Sequence, residues 1–441
     1  MSSGRLRARQ SAYIRGTYSV HWRIRGRRTR APAAKAAASA RLTVIQMVLS
    51  FASARLVMAL FFVYSFGISN WLIRIPDVQH MLGLEPAQLA ICLIGMPVGL
   101  VISMAFSGMV VERFGAANAI RYGFIFLIAA LLLPPLAGNA TWLFFALVAV
   151  GLSMGAVEVG VNVAADRIGV ALGRTIMSRC HGFWSLGLMA GGAVGSAAAA
   201  FGLAPYQHMI LVAVFALVAS QLFGARMPQF RTPVTENAEK TPVFVLPPRN
   251  IVLLCFFGFG MLLVEGAITD WSAIYLRDVF GAKPPVTGFA FTAFGGVMAV
   301  GRLAGDYLSM RFGPVTMARV CCSIGLAGLT LMVLATSPLF VILGAAAAGF
   351  GVSIIFPLAV SAAAGREGSS AVNVAALSLL SFTGFLIGPP VIGFVTEFAG
   401  LRIGLGTLLI PALASLLLSG QVRVRPRRIE PDAIGAVRSG A

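Results

Sequence analysis

Twelve apolar runs, each long enough to cross a bilayer, limit this chain to one architecture before any single residue is weighed. They centre near residues 62, 99, 128, 153, 192, 216, 263, 297, 326, 350, 384 and 410. A bilayer offers no water to an unpaired backbone amide, so a run of this kind crosses it as a helix. Of the 441 residues, 58% are hydrophobic and 11% are charged. Soluble domains carry about 25% charged residues. The expected fold class is an all-α polytopic membrane protein with twelve transmembrane helices, not a soluble enzyme.

The runs fall into two groups of six. Between them lies a polar stretch, Met227 to Asn250, with five prolines, two glutamates and three basic residues. That composition suits an extended connector. The expected domains are a first six-helix half over 51–226, a cytoplasmic linker over 227–249 and a second half over 250–422. A basic cytoplasmic tail follows over 423–441. Residues 1–50 hold eleven Lys/Arg and no acid. Three readings of this arm stand together: a disordered basic tail on anionic lipid, a start codon assigned upstream of Met47 or Met58, or a cleaved transit peptide. None needs nucleic acid.

Lys and Arg in the connections set the orientation. With the N-terminus inside, the cytoplasmic loops hold Arg113, Arg121, Arg167, Arg174, Arg179, Arg311, Arg319 and Arg366 besides the linker residues. The other side holds Arg74, Arg277, Lys283 and Arg402. Both termini are expected in the cytoplasm, with the chain in a bacterial inner membrane.

The two groups repeat. Asn70-Trp71 returns as Asp270-Trp271 after 200 residues, and Arg113-Phe114-Gly115 returns as Arg311-Phe312-Gly313 after 198. Equivalent runs keep the same direction, so the repeat is parallel. A solute site is then expected between the halves.

The stretch Gly108-Met-Val-Val-Glu112-Arg113-Phe-Gly115, followed by Arg121, resembles the loop 2–3 signature of the major facilitator superfamily. Gly301-Arg302-Leu-Ala-Gly305-Asp306, followed by Arg311-Phe-Gly313, is similar to its second-half form. Within that superfamily the chain resembles the fucose permease-like and YbjJ-type branch. That likeness rests on Trp71 to Pro76, Glu158 to Asn162, Ile176 to Gly187 and Glu265 to Leu276. The sugar permease of that family has an aspartate near the end of the first helix; this chain reads Ser69-Asn70-Trp71-Leu72 there.

Two acids lie deep in apolar runs. A carboxylate at mid-membrane costs roughly 2.5–3.5 kcal/mol on insertion scales. Glu158 precedes Asn162 by four residues, which puts both on one helix face. Its repeat mate near Phe356–Pro357 is apolar, so the scaffold does not require an acid there. Glu158 is either a proton-binding site or a neutral acid held by a local hydrogen bond to Asn162. The resemblance implies the first, with Asn162 binding substrate. Glu265 begins a polar stripe with Thr269 and Ser272. It either serves coupling or is a satisfied acid, with Arg55 and Arg302 as conceivable partners.

Asn70, Trp71, Thr269, Asp270 and Trp271 complete the candidate substrate contacts. The tryptophans have an alternative role as interfacial anchors. His181 reads as a polar residue at a helix end. The resemblance implies that Gly108, Glu112, Arg113, Gly115, Arg302, Asp306 and Arg311 gate the cytoplasmic side. The glycines would allow tight turns and close helix approach, and the acids would meet helix N-termini of the facing half. Pro97, Pro357, Pro389 and Pro390 are expected to interrupt their helices.

Five cysteines in or beside apolar runs fit neither a disulfide framework nor a zinc site. No HExxH pair and no GxxxxGK[ST] loop is present. No metal, no cofactor and no catalytic residue is therefore assigned. The expected function is secondary transport of a small polar, sugar-like solute by a monomer, driven by protons in symport. Proton-driven export of a drug or metabolite, and a membrane sensor that has lost transport, remain the alternatives.

Overall fold

The computed structural model describes residues 31–228 and 247–423. Residues 1–30 of the expected arm, most of the linker and residues 424–441 of the tail lie outside them. By its contacts the chain divides into residues 1–48 and 49–441, and the second unit carries all twelve spans. The first-span helix begins at Ala31, within the expected arm. Alanine-rich sequence there, Ala31 to Ala40, favours helix.

Among the described residues the structure is helical, with no strand. Spans 1 to 6 are Phe51–Leu82, Pro86–Phe114, Ala116–Leu136, Ala140–Ala171, Met177–Ala200 and Pro205–Gly224. Spans 7 to 12 are Val252–Phe280, Val286–Phe312, Pro314–Val333, Pro338–Ala364, Val372–Ala399 and Leu401–Val422. Prolines open the helices at Pro86, Pro205, Pro314 and Pro338. There the missing N–H is one the helix could not have used. Asn139 caps span 4 by accepting the Trp142 amide at 2.8 Å.

The repeat is written in the backbone as well as in the sequence. Gly83 and Gly281 both take left-handed φ, at 60° and 62°, and each ends a helix. Gly115 and Gly313 take φ of 81° and 82° at the tight joints after spans 2 and 8. Members of both pairs stand 198 residues apart. A side chain would strain either joint.

Proline does not interrupt the helices where expected. Pro97, Pro389 and Pro390 lie inside unbroken helices. The break in span 10 falls at Ser353–Ile354, between helices Pro338–Val352 and Ile355–Ala364. Pro357 still explains it, because its missing N–H leaves the Ser353 carbonyl, four residues earlier, without a helical donor.

Spans 2 and 4 pack through glycine. A Cβ on Gly151 would strike the Met96 carbonyl, and one on Gly99 the Val148 carbonyl. Gly151→Leu is therefore expected to cost about 3 kcal/mol or more through overpacking. Thermal unfolding of the purified variant measures this, and an unchanged midpoint would show that the two helices can separate freely.

Between the halves, spans 5 and 8 touch along their length, and spans 2 and 11 meet near Pro86, Ala90 and Gly393. At the same end Arg277 of span 7 donates to the Pro76 carbonyl at 2.5 Å and to Gln79 at 2.7 Å.

Candidate functional site

The interior polar side chains at mid-span fall into two groups, one on spans 1 and 4 and one where spans 5, 7, 8 and 10 meet. On span 4, Glu158 and Asn162 are half-buried on one face, as their spacing requires. The Asn162 side-chain amide donates to the Glu158 carboxyl oxygen at 2.9 Å and to the Glu158 backbone carbonyl at 2.9 Å. Tyr64 of span 1 faces the same carboxyl group. Its buried hydroxyl makes no hydrogen bond of regular geometry. Among the described residues, Glu158 has no cationic partner.

Glu265 is held differently. It is 8% exposed and accepts from Arg302 Nη2 at 3.3 Å. Arg302 also donates through Nη1 to the Ser185 hydroxyl at 2.8 Å and through Nε to the Ser353 carbonyl at 3.3 Å. The last acceptor is the carbonyl that Pro357 sets free. The Arg302 guanidinium lies 5.5 Å from the Trp184 ring centre, a cation–π contact. One arginine thus ties spans 5, 7, 8 and 10 together. His181 joins this interior group, its ring edge-on to Phe61 at 5.4 Å. It is a half-buried residue near Arg302, not merely a polar helix end.

Arg302 therefore lies deeper than Arg311, the residue expected to gate at the end of the same helix. Its contacts with Ser185 and Trp184 of span 5 put it in the seam, while Arg311 sits exposed at the helix end and bonds Tyr307 at 3.2 Å. Asp306 accepts from Ser178 Oγ at 2.8 Å, in the first turn of span 5 across the seam. Glu112 and Arg113 are exposed, and Arg113 lies over its neighbour Phe114. Gly115 makes the tight turn. Gly108 does not serve close approach: a Cβ there would meet nothing within 4 Å. Spans 2 and 11 make their close glycine contact near Gly393 instead.

The candidate substrate contacts separate likewise. Asn70 is fully buried and bonds the Phe66 carbonyl at 2.7 Å and His208 at 2.9 Å. It fastens span 1 to span 6. Beside it Arg74, 2% exposed, pairs with Asp77 at 2.6 Å and donates to the Leu203 carbonyl. Trp71 and Trp271 are 1% and 0% exposed, so neither is an interfacial anchor, which would face lipid. Both indole N–H groups lack a partner among the described residues. Thr269 donates to the Gly266 carbonyl at 2.8 Å, within its own helix. Asp270 is half-buried and has no hydrogen bond or ion pair among the described residues.

Tyr64, Trp184, Ser185 and Ser353 were not singled out from the sequence. For Ser353 a signal existed, a serine four residues before an intrahelical proline. Two surface hollows of about 510 and 550 Å³ are lined by residues such as Leu326 and Leu334, and Leu133 and Trp142. Neither is lined by an acid. Among the described residues no cluster of three or more His, Cys, Asp or Glu could hold a metal.

A family model described as the Major Facilitator Superfamily matches residues 56–376 and 271–438. An uncharacterised MFS-type transporter of Yersinia pestis is 28% identical over 370 residues, covering 83% of this chain and 94% of that protein. The membrane protein MosC of Rhizobium meliloti is 28% identical over 367 residues, covering 82% and 88%. Among solved structures, the nucleoside transporter NupG superposes with a TM-score of 0.62 at 16% identity, covering 84% of this chain and 98% of that one. FucP, a Major Facilitator Superfamily transporter in the outward conformation, gives 0.58 at 18% identity, covering 84% and 97%. The twelve spans in two six-helix halves carry the same fold. The chain belongs to the Major Facilitator Superfamily, and is an integral membrane transporter rather than an enzyme.

Proposed function

We propose that this protein is a secondary active transporter that couples uptake of a small, polar, sugar-like solute to protons. The observation that carries this is the contrast between Glu158 and Glu265. Glu265 has a cation beside it; Glu158 has only an amide and a phenol. A carboxyl group in a membrane without a counter-charge is the one for which proton binding removes the largest penalty. A fucose:proton symporter of E. coli, FucP, shares the fold at 18% identity, which supports the reading without carrying it.

Alternating access follows from rocking of the halves over 51–226 and 250–422. Arg277 with Gln79 and Pro76 closes the outer end. Asp306 with Ser178 closes the cytoplasmic end, in a bacterial inner membrane with both termini inside. Glu112, Arg113 and Arg311 border that cytoplasmic end and complete the gate. The protein works as a monomer, since both halves of the seam come from one chain.

The test is charge movement in proteoliposomes on a solid-supported membrane, against a panel of monosaccharides and polyols. A solute-triggered inward proton current is expected. Currents triggered instead by solute leaving the cytoplasmic face, under an opposed proton gradient, would replace symport with export.

A further inference from the structure

The Arg302 site shows how this fold treats a carboxylate beside a helix carbonyl that proline has freed. Glu265 and the Ser353 carbonyl are both acceptors, and a protein cation sits on both. A second set of acceptors of the same kind exists and lacks its cation.

Span 11 carries Pro389 and Pro390 in unbroken helix. Neither residue has an N–H to give. The Phe385 carbonyl therefore loses its donor four residues on. The Leu386 carbonyl loses donors both three and four residues on. Among the described residues no loop amide or side chain replaces them. An unpaired carbonyl in a membrane helix is tolerated only when something else satisfies it.

This part of span 11 faces span 7. A Cβ on Gly266 would meet the Phe385 ring at 2.7 Å, and Gly388 stands against Leu263. Asp270 lies one turn beyond Gly266 on the same face, roughly 6 Å along the axis. It is half-buried, with no ion pair and no hydrogen bond among the described residues. The Phe385 ring continues through Phe382, at 6.2 Å between centres, to Phe356 of span 10, at 5.1 Å. A carboxylate, two open carbonyls and an aromatic wall present acceptors and π-faces. Such a set recognises an ammonium: N–H groups for the oxygens, positive charge for the carboxylate and rings.

We propose that Asp270, with the open carbonyls of Phe385 and Leu386, binds the positively charged nitrogen of the transported solute. The inference rests on the transporter reading above and narrows its solute class to polar molecules bearing an amine. Asp270 is then a specificity residue, separate from the proton site at Glu158.

The experiment is thermal unfolding of the purified full-length protein with matched probes. Choline is set against its neutral isostere 3,3-dimethylbutanol, ethanolamine against ethylene glycol, and glucosamine against glucose, with sodium chloride as a further arm. A ligand that binds only the folded state raises the midpoint by mass action. At least one ammonium is expected to raise it by several degrees while its neutral partner does not. Asp270→Asn and Asp270→Ser should abolish the rise, and Asp270→Glu should keep part of it. No shift from any ammonium, a shift shared by the neutral partners, or one that survives loss of the carboxylate overturns the proposal. A shift from sodium alone overturns it too, by making the site one for an alkali cation. If neither neutral variant purifies, the wild-type pairs decide. The readout is binding, so failure of proton coupling, which concerns current, leaves it standing.

Discussion

Glu158→Gln is expected to bring proton-coupled current down to the level of empty liposomes while leaving the folded protein intact. Glutamine keeps the length and shape of the side chain. Its carbonyl oxygen can still accept the Asn162 amide, now at 2.9 Å. What it loses is the ability to hold and release a proton. No neighbour takes over, because among the described residues Glu158 meets only neutral groups, Asn162 and Tyr64. Among the other acids, Glu265 is paired with Arg302 and Asp306 with Ser178. Stability should hold or rise slightly, since an ionisable carboxyl at mid-membrane is itself costly, by about 2.5–3.5 kcal/mol if charged. Solute exchange without a gradient should persist, because it needs rocking but no net proton movement. Currents on a solid-supported membrane, with counterflow on the same preparation, separate the two. A glutamine variant that still accumulates solute against its gradient, driven by protons, would remove Glu158 from the mechanism.

The fold was largely legible because membrane insertion writes itself as length. Twelve long apolar runs leave few alternatives, and two repeats near 200 residues fix the pairing of the halves. The structure adds Gly83 and Gly281 to that repeat, with matched left-handed φ. Their equivalence could have been seen in the sequence at the same spacing of 198.

The candidate site was legible in depth and less so in direction. Depth follows from counting residues along a run. Direction needs one face to differ from the others, and a helix that is apolar all round gives no such signal. Trp71 and Trp271 show the consequence: their position along the spans suggested the interface, but both point into the protein. Asn70 likewise turned to His208. Glu158 and Asn162 came out together because two polar residues four apart define a face by themselves. Arg302 is grouped with Arg311 by the superfamily motif they share, but nine residues of helix separate them by roughly 13 Å. Sequence proximity inside a helix is distance, not contact.

Arg302→Gln is expected to cost about 3 kcal/mol or more of stability, and adding Glu265→Gln should recover part of it. The arginine satisfies three acceptors at once: Glu265, the Ser185 hydroxyl and the Ser353 carbonyl. Taking away one member of a buried ion pair leaves the other uncompensated, at about 3–5 kcal/mol. Side-chain exposures of 13% and 10% put this pair close to that limit. The double variant removes both charges together, so what remains is the loss of hydrogen bonds, about 1 kcal/mol each. Arg302→Lys should fall between, because a single ammonium can balance Glu265 but cannot reach three acceptors in different directions. The order of the midpoints is the test: wild type above the double variant, and the double variant above Arg302→Gln. If the double variant is the least stable, the arginine matters chiefly as a strut between spans 5, 8 and 10, and Glu265 is not its reason for being there. If all three match wild type, the pair contributes nothing to the folded state, and Glu265 is free to carry a proton after all.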